Sequence, residues 1–282
     1  MKQRIFIIAI ISLNLLNVGA QNTIHKASKT IEYSFEDCKA LLIQGEKATI
    51  KVSAKPQNTI ELKITYIAKH KKQATAIRDL KHIRFDSQKE GSKLLLRNYY
   101  ETANQKIESN LSFIYELIIP EEIFLDIRNL YGSINLQQLT GTKEIHISFG
   151  RLELENISGK TNIQLKYSDI STNNIAGQLT GSLSKSNVLI NNCEANVSLN
   201  MSYGTLNASL LNNCKNFRIN GERAEIQIQT PDKEYNMDIK TSFNKLFIFD
   251  ENHDQQFRST NKNFTKNIYI RTSYCPIKIH LK

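Results

Sequence analysis

Tyr131-Gly132-Ser133-Ile134-Asn135-Leu136 returns eighteen residues later as Phe149-Gly150-Arg151-Leu152-Glu153-Leu154, and again as Tyr167-Ser168-Asp169-Ile170-Ser171-Thr172. Lys185-Ser186-Asn187-Val188 and Tyr203-Gly204-Thr205-Leu206 keep the same step, so five windows stand in register between Tyr131 and Ala208. A fixed short period marks stacked units, each of which can bury its apolar face only against its neighbours.

Inside a window the apolar residues alternate with period two, as in Leu152 and Leu154, or Ile163, Leu165 and Tyr167. Alternation puts them on one face of an extended strand. The parity breaks twice per window, near Gly150 and near Asn156, and a break of this kind between strands marks a corner. The second corner has its own column, Gln138, Asn156, Asn174 and Asn192, each followed by an apolar residue: Leu139, Ile157, Ile175 and Cys193. Two positions further on come Gly141, Gly159, Gly177 and Ala195. Glycine there suits a positive φ, and stacked asparagine amides can bond to the window above and to the bend backbone.

Strands joined by short corners at a constant step stack in parallel about 4.8 Å apart and enclose an apolar interior. The expected fold is all-β: a parallel β-solenoid, or β-helix, of about eight coils with a period of about 18 residues. The period loosens towards the carboxyl end. Val197, Leu199, Met201, Tyr203 and Leu206 are echoed by Met237, Ile239, Thr241, Phe243 and Leu246, then by Ile268, Ile270, Thr272, Tyr274 and Ile277. The aromatic column therefore reads Tyr131, Phe149, Tyr167, Lys185, Tyr203, Arg223, Phe243, Tyr274, and it is expected to share the interior. Its two cations have two readings: they lie over neighbouring rings, or they snorkel from a partly exposed corner.

The first twenty residues read as a secretory signal peptide. Lys2 and Arg4 precede the apolar run Ile5 to Leu16, and Val18-Gly19-Ala20 offers small residues before Gln21. That run is too short to span a bilayer, no later stretch is long enough, and no cysteine near the cleavage point offers a lipid anchor. Formal charge is +10, from 37 basic and 27 acidic residues. The excess gathers between Lys47 and Arg97 and includes Lys69-His70-Lys71-Lys72. Such a stretch is either a solvated face or a site that attracts anionic lipid, acidic glycan or nucleic acid, and export makes nucleic acid the least expected of these.

Residues 22–124 read as a β-rich cap, continuous with a solenoid over 125–282. Asn22 to Lys29 is expected to be loose. Strands are expected over Ala40 to Ile43, Ala48 to Val52, Thr59 to Ile67, Lys93 to Tyr99 and Leu111 to Ile119. Ala74, Ile77 and Leu80 lie at helical spacing within Ala68 to Leu80, so an amphipathic helix is expected there, covering the open edge of the stack. Asp250 to Asn267 reads as a polar insertion that could carry binding or be merely tolerated.

Cys193 and Cys214 look like one corner in successive windows, the second displaced by a three-residue insertion. They read as buried thiols filling an interior column or as a disulfide between stacked coils. Cys38 and Cys275 have no spacing that suggests zinc. The outward columns Asn135, Glu153, Ser171 and Ser133, Arg151, Asp169 bring no two carboxylates face to face, as acid and base catalysis of glycoside cleavage requires. Converging oxygen ligands for calcium are absent from them too. The six histidines are scattered, and His146, between Ile145 and Ile147, should point outward. No catalytic, metal or cofactor-binding residue is expected, and no cofactor.

Asn129-Leu130-Tyr131-Gly132-Ser133-Ile134-Asn135-Leu136, followed by Leu139-Thr140-Gly141 and later by Tyr167-Ser168-Asp169-Ile170, resembles the adhesin-like domain of unknown function of exported bacterial proteins. It is also similar to the auto-transporter adhesin head (GIN) domain. The resemblance covers roughly residues 110 to 280, and it implies a β-solenoid in the periplasm or at the cell surface. The function expected is therefore that of an exported, non-catalytic adhesin or binding protein of the cell envelope, with a glycan or an envelope protein as partner. The alternative is a periplasmic scaffold or regulatory partner that docks through its basic amino-terminal part. A carbohydrate-active β-helix enzyme comes third.

Overall fold

The computed structural model describes residues 24–101 and 106–282, so the proposed signal peptide lies outside the described residues. Apart from one short helix, the regular structure is all β. The chain divides into two compact units, one ending at Ile134 and the next beginning at Asn135.

The first unit contains β1 (His25–Glu36), β2 (Ala40–Glu46), β3 (Ala48–Lys55), β4 (Thr59–His70), α1 (Gln73–Leu80), β5 (Ile83–Glu90), β6 (Lys93–Tyr100), β7 (Asn110–Pro120) and β8 (Phe124–Gln137), the last running across the division. The stretch expected to be loose is ordered from His25, because all of β1 pairs antiparallel with β4, from His25 opposite His70 to Glu36 opposite Thr59. In space β2 lies between β8 and β6, parallel to both, and β3 runs parallel to β7. β5 then covers β6, and β4 with β1 covers β7, all antiparallel. The open edge is thus closed by strands where a helix was expected to do it.

The helix is shorter than expected and turned differently. Residues 68–70 extend β4, and Ala74 and Ile77 face solvent, whereas Ala76 and Asp79 are buried. A polar group decides the orientation. The Asp79 carboxylate accepts hydrogen bonds from the Arg78 Nε at 2.7 Å and from the backbone N–H groups of Glu108 at 2.9 Å and Ser109 at 2.8 Å. Burial alone would raise the Asp79 carboxyl, but these donors outweigh it and hold it well below the usual carboxylate range.

The second unit contains β9 (Lys143–Ile157), β10 (Lys160–Lys166), β11 (Asp169–Ile175), β12 (Gln178–Cys193), β13 (Asn196–Leu210), β14 (Asn216–Thr230), β15 (Tyr235–Ser242), β16 (Leu246–Ile248), β17 (Glu251–His253), β18 (Gln256–Ser259), β19 (Lys266–Ser273) and β20 (Ile277–Leu281). Pairing from β9 to β13 is parallel, with partners eighteen residues apart: Leu165 stands between Ile147 and Leu183, and Val188 between Ile170 and Leu206. The step widens at β14, where Val197 faces Phe217.

Beyond β14 the order in space leaves the order in sequence. Phe217 pairs with Ile268, and Ile268 with Met237, so β19 and β20 lie between β14 and the pair β15 and β16. An amide ladder follows the same path, Asn196 to Asn216 at 3.1 Å, Asn216 to Asn267 at 3.2 Å and Asn267 to Asn236 at 3.4 Å. The last window is therefore not the last rung. The segment read as a polar insertion supplies β17 and β18, which fold back antiparallel on β16 and β15. Short charged strands at that place shield the final rung from edge pairing.

Both corners carry residues in the left-handed region. At the second, Asn156, Asn174 and Asn192 have φ of 53°, 56° and 51°, and their amides bond rung to rung at 2.9 and 3.1 Å. Gly177 has φ of 79°, and a Cβ there would stand 2.3 Å from the Gly159 carbonyl oxygen, so backbone packs directly on backbone. At the first corner the aromatic column itself is left-handed, from Phe149 at 58° and Tyr167 at 52° to Phe243 at 71° and Tyr274 at 55°. This overturns the expectation that these rings share the interior. A left-handed residue shifts the alternation by one, so Lys166 and Tyr167 both face outward and the small Ser168 turns inward. The Ser168 hydroxyl donates to the Lys166 carbonyl at 2.9 Å and accepts from the Gly150 N–H at 3.1 Å.

All four cysteines are free and buried. The Cys193 and Cys214 thiols both reach the Ala195 carbonyl, at 3.7 and 3.3 Å. Cys214 does not occupy the ladder position expected for it, because a register shift after Ile190 sets Leu210 opposite Cys193.

Candidate binding trough

One outer face of the second unit forms a trough of about 870 Å³. Its lining comes from the last residues of β10 and β19 and from the corresponding turns of β9, β12, β13 and β14. Two outward columns make it. The first runs His146, Gln164, Ser182, Asn200, Asn220, Arg271, and the second runs Ser148, Lys166, Ser184, Ser202, Glu222, Ser273. Between them Ile147, Leu165, Leu183 and Met201 point the other way and are buried. The five serines of these columns leave little side chain above the sheet, so the concavity follows from residue size. Six rungs at about 4.8 Å give a lining about 24 Å long.

The residue after each member of the second column belongs to the left-handed corner, so the former aromatic column becomes one rim of the trough. Its rings stack along the unit: Phe149 on Tyr167 at 5.0 Å and 4°, and Tyr274 on Phe243 at 4.5 Å and 8°. Both sequence readings of the cations hold together. The rim is exposed, Tyr167 by 41%, and Lys185 still lies 4.8 Å from the Tyr167 ring centroid, donating to its hydroxyl at 3.1 Å. Arg223 lies between the Tyr203 and Tyr274 rings at 5.5 and 5.6 Å. The hydrogen bond from Lys185 lowers the Tyr167 phenol and raises the Lys185 ammonium. Stacked in this way, the rings cover one another's faces and offer the trough their edges, hydroxyls and cations.

Farther along, Arg271 donates to Asp238 and packs 4.2 Å from the Tyr269 ring, with Arg218 on the same ring at 4.4 Å. The carboxylate of Asp238 is lowered first by its hydrogen bond from Arg271. Glu222 is the only acid in the lining. His146 faces outward as expected and lines one end of the trough. The outward columns Asn135, Glu153, Ser171 and Ser133, Arg151, Asp169 lie elsewhere, and Asn135 bonds to Glu153 at 2.9 Å along the first of them. Among the described residues no group of three or more histidine, cysteine or acidic side chains is placed to hold a metal ion. The trough was missed because its columns carry no acid pair and no aromatic residue, although they sit at the eighteen-residue step beside the aromatic column.

No family model and no curated protein matches the chain. Solved structures similar to it include a proposed adhesin from Bacteroides fragilis, with 11% identity and a TM-score of 0.40 over 89% of this chain and 97% of that one. A proposed cell adhesion protein from Clostridium sporogenes has 11% identity and a TM-score of 0.29 over 90% and 100% of the two chains. A proposed lipid binding protein from Parabacteroides distasonis has 12% identity and a TM-score of 0.35 over 90% and 94%. Scores of this size do not establish a shared fold. Among the described residues no helix is long and apolar enough to cross a membrane.

Proposed function

We propose that the chain is an exported, non-catalytic binding protein of the bacterial cell envelope, adhesin-like in character, built as a β-solenoid with the trough as its binding face. The parallel ladders at a constant step support the solenoid, and the cap over 22–124 and the signal peptide over 1–20 complete the proposed organisation. The trough itself carries the functional reading. It is an extended concave face lined by hydroxyl and amide groups, which suits recognition of an extended polar ligand. Its single carboxylate, Glu222, falls short of the pair that glycoside cleavage ordinarily uses.

A second reading, docking of the basic amino-terminal part to an envelope complex, is favoured by α1, which leaves Ile77 exposed a few residues after the exposed Lys71 and Lys72. A glycan array probed with the mature chain and with a Ser182→Trp variant tests the first reading. Binding that the tryptophan abolishes is the expected result. Binding insensitive to Ser182→Trp, but lost when Lys71 and Lys72 become Gln, transfers the function to the amino-terminal part.

A further inference from the structure

We infer that the ligand of the trough is a linear acidic glycan, lying along the stacked rungs with its carboxylate or sulfate groups against Lys166, Lys185 and Arg223; the inference rests on the reading of the trough as the binding face. Three observations carry it. The first is charge. Lys166 lines the trough and Lys185 and Arg223 stand on its rim; Glu222, the lone acid of the lining, lies 3.8 Å from Arg223 and offsets part of this charge, and the charge of Arg271 is met by Asp238, so Lys166 and Lys185 are the cations left in excess. The net field over the middle of the trough is positive, and such a groove gathers polyanions.

The second observation is spacing. Lys185 and Arg223 are two rungs apart, about 10 Å along the stack, with Tyr203 between them. In a linear polyuronate, which carries one carboxylate on each sugar, the carboxylates of every second sugar fall at a separation of this order. Lys185 uses one of its three N–H groups on the Tyr167 hydroxyl, and Arg223 donates to the Tyr203 hydroxyl. Both heads are therefore held in place at the rim with further donors to offer.

The third observation excludes other polymers. Gln164, Ser182, Ser184, Asn200 and Ser202 offer the mixed donors and acceptors that sugar hydroxyls need. The rim rings lie face to face, 4° apart for Phe149 and Tyr167 and 8° apart for Tyr274 and Phe243, so those paired faces are not free for nucleobases to stack on. Single-stranded nucleic acid depends on such stacking, and so do neutral sugars that bind flat on an aromatic face.

The test is calorimetric titration of the mature chain with an oligogalacturonate of about six sugars, alongside cello-oligosaccharide and oligothymidylate of matched length. Oligogalacturonate is expected to bind, with affinity falling as salt rises. Affinity should drop roughly tenfold or more in a Lys166→Gln, Lys185→Gln, Arg223→Gln variant and in Ser182→Trp, each checked for unchanged circular dichroism. It should stay unchanged in a Lys69→Gln, Lys71→Gln, Lys72→Gln variant, which controls for attraction to the basic amino-terminal part. Equal binding of cello-oligosaccharide, blocked by Ser182→Trp, overturns the acidic ligand and leaves the binding trough standing. Oligothymidylate binding as tightly overturns it in favour of nucleic acid. Oligogalacturonate affinity that survives both trough variants overturns the inference together with the reading on which it rests.

Discussion

Single residues set the corners and hold the charges. Lys143 occupies an interior position, 1% exposed, where its ammonium donates to the carbonyl oxygens of Leu139, Gly141 and Ser158. Burial lowers its pKa to about 8. The unfolded lysine titrates near 10.4, so between pH 8 and 10 the unfolded chain holds a proton that the folded chain has released, and stability rises with pH. A gain of up to about 3 kcal/mol is expected across that interval, followed by through melting temperature, and Lys143→Met should flatten it. Above pH 10 the trend reverses, because Tyr66, Tyr115 and Tyr235 are raised by burial and stay protonated only in the folded chain. At the rim, Lys185→Met removes both the hydroxyl bond and the contact over the ring, and a lowered melting temperature is expected. An unchanged or higher value would show that the cation merely rides on an exposed corner.

At the scale of elements, polar anchors and edges decide what hydrophobic spacing leaves open. The helix offers Ala74, Ile77 and Leu80 as an apolar stripe, but one eight-residue helix gains less from them than from seating a carboxylate that three donors satisfy. Asp79→Asn should therefore cost about 1–3 kcal/mol and raise hydrogen exchange over α1 and residues 108–109. Because the Asp79 carboxyl is held low, its contribution is present above about pH 4 and is lost as pH falls below that, so the variant should converge on the wild type in acid. The strands β17 and β18 make a second prediction. Replacing residues 250–259 by a short flexible link should yield concentration-dependent association in size-exclusion chromatography, since it bares the edges of β15 and β16. A monomeric product would show that this edge needs no cover.

On the scale of the molecule, each unit is described by the order in which its strands lie in space. Because β19 and β20 sit between β14 and the pair β15 and β16, ending the chain at Thr265 removes a rung from inside the stack. Loss of hydrogen-exchange protection is expected across β15 to β18 as well. In a strictly sequential stack, only the end would fray. The eighteen-residue step, the two corners and the asparagine ladder were legible because short-range alternation and turn chemistry act within one window. The rung order was not, since Met237 and Ile268 are equally good partners for Phe217 in pattern, and only closure of the end edge separates them. The trough was half legible, as a column of small polar residues beside an aromatic one. That the aromatic side chains turn outward was decided by left-handed backbone at Phe149, Tyr167 and Tyr274, which alternation alone cannot reveal. The sequence by itself therefore determined parallel pairing between neighbouring windows, through a repeated apolar pattern. Tertiary structure alone decided which windows become neighbours at the ends and which face of each corner meets solvent, because both depend on edges and backbone angles that no single window contains.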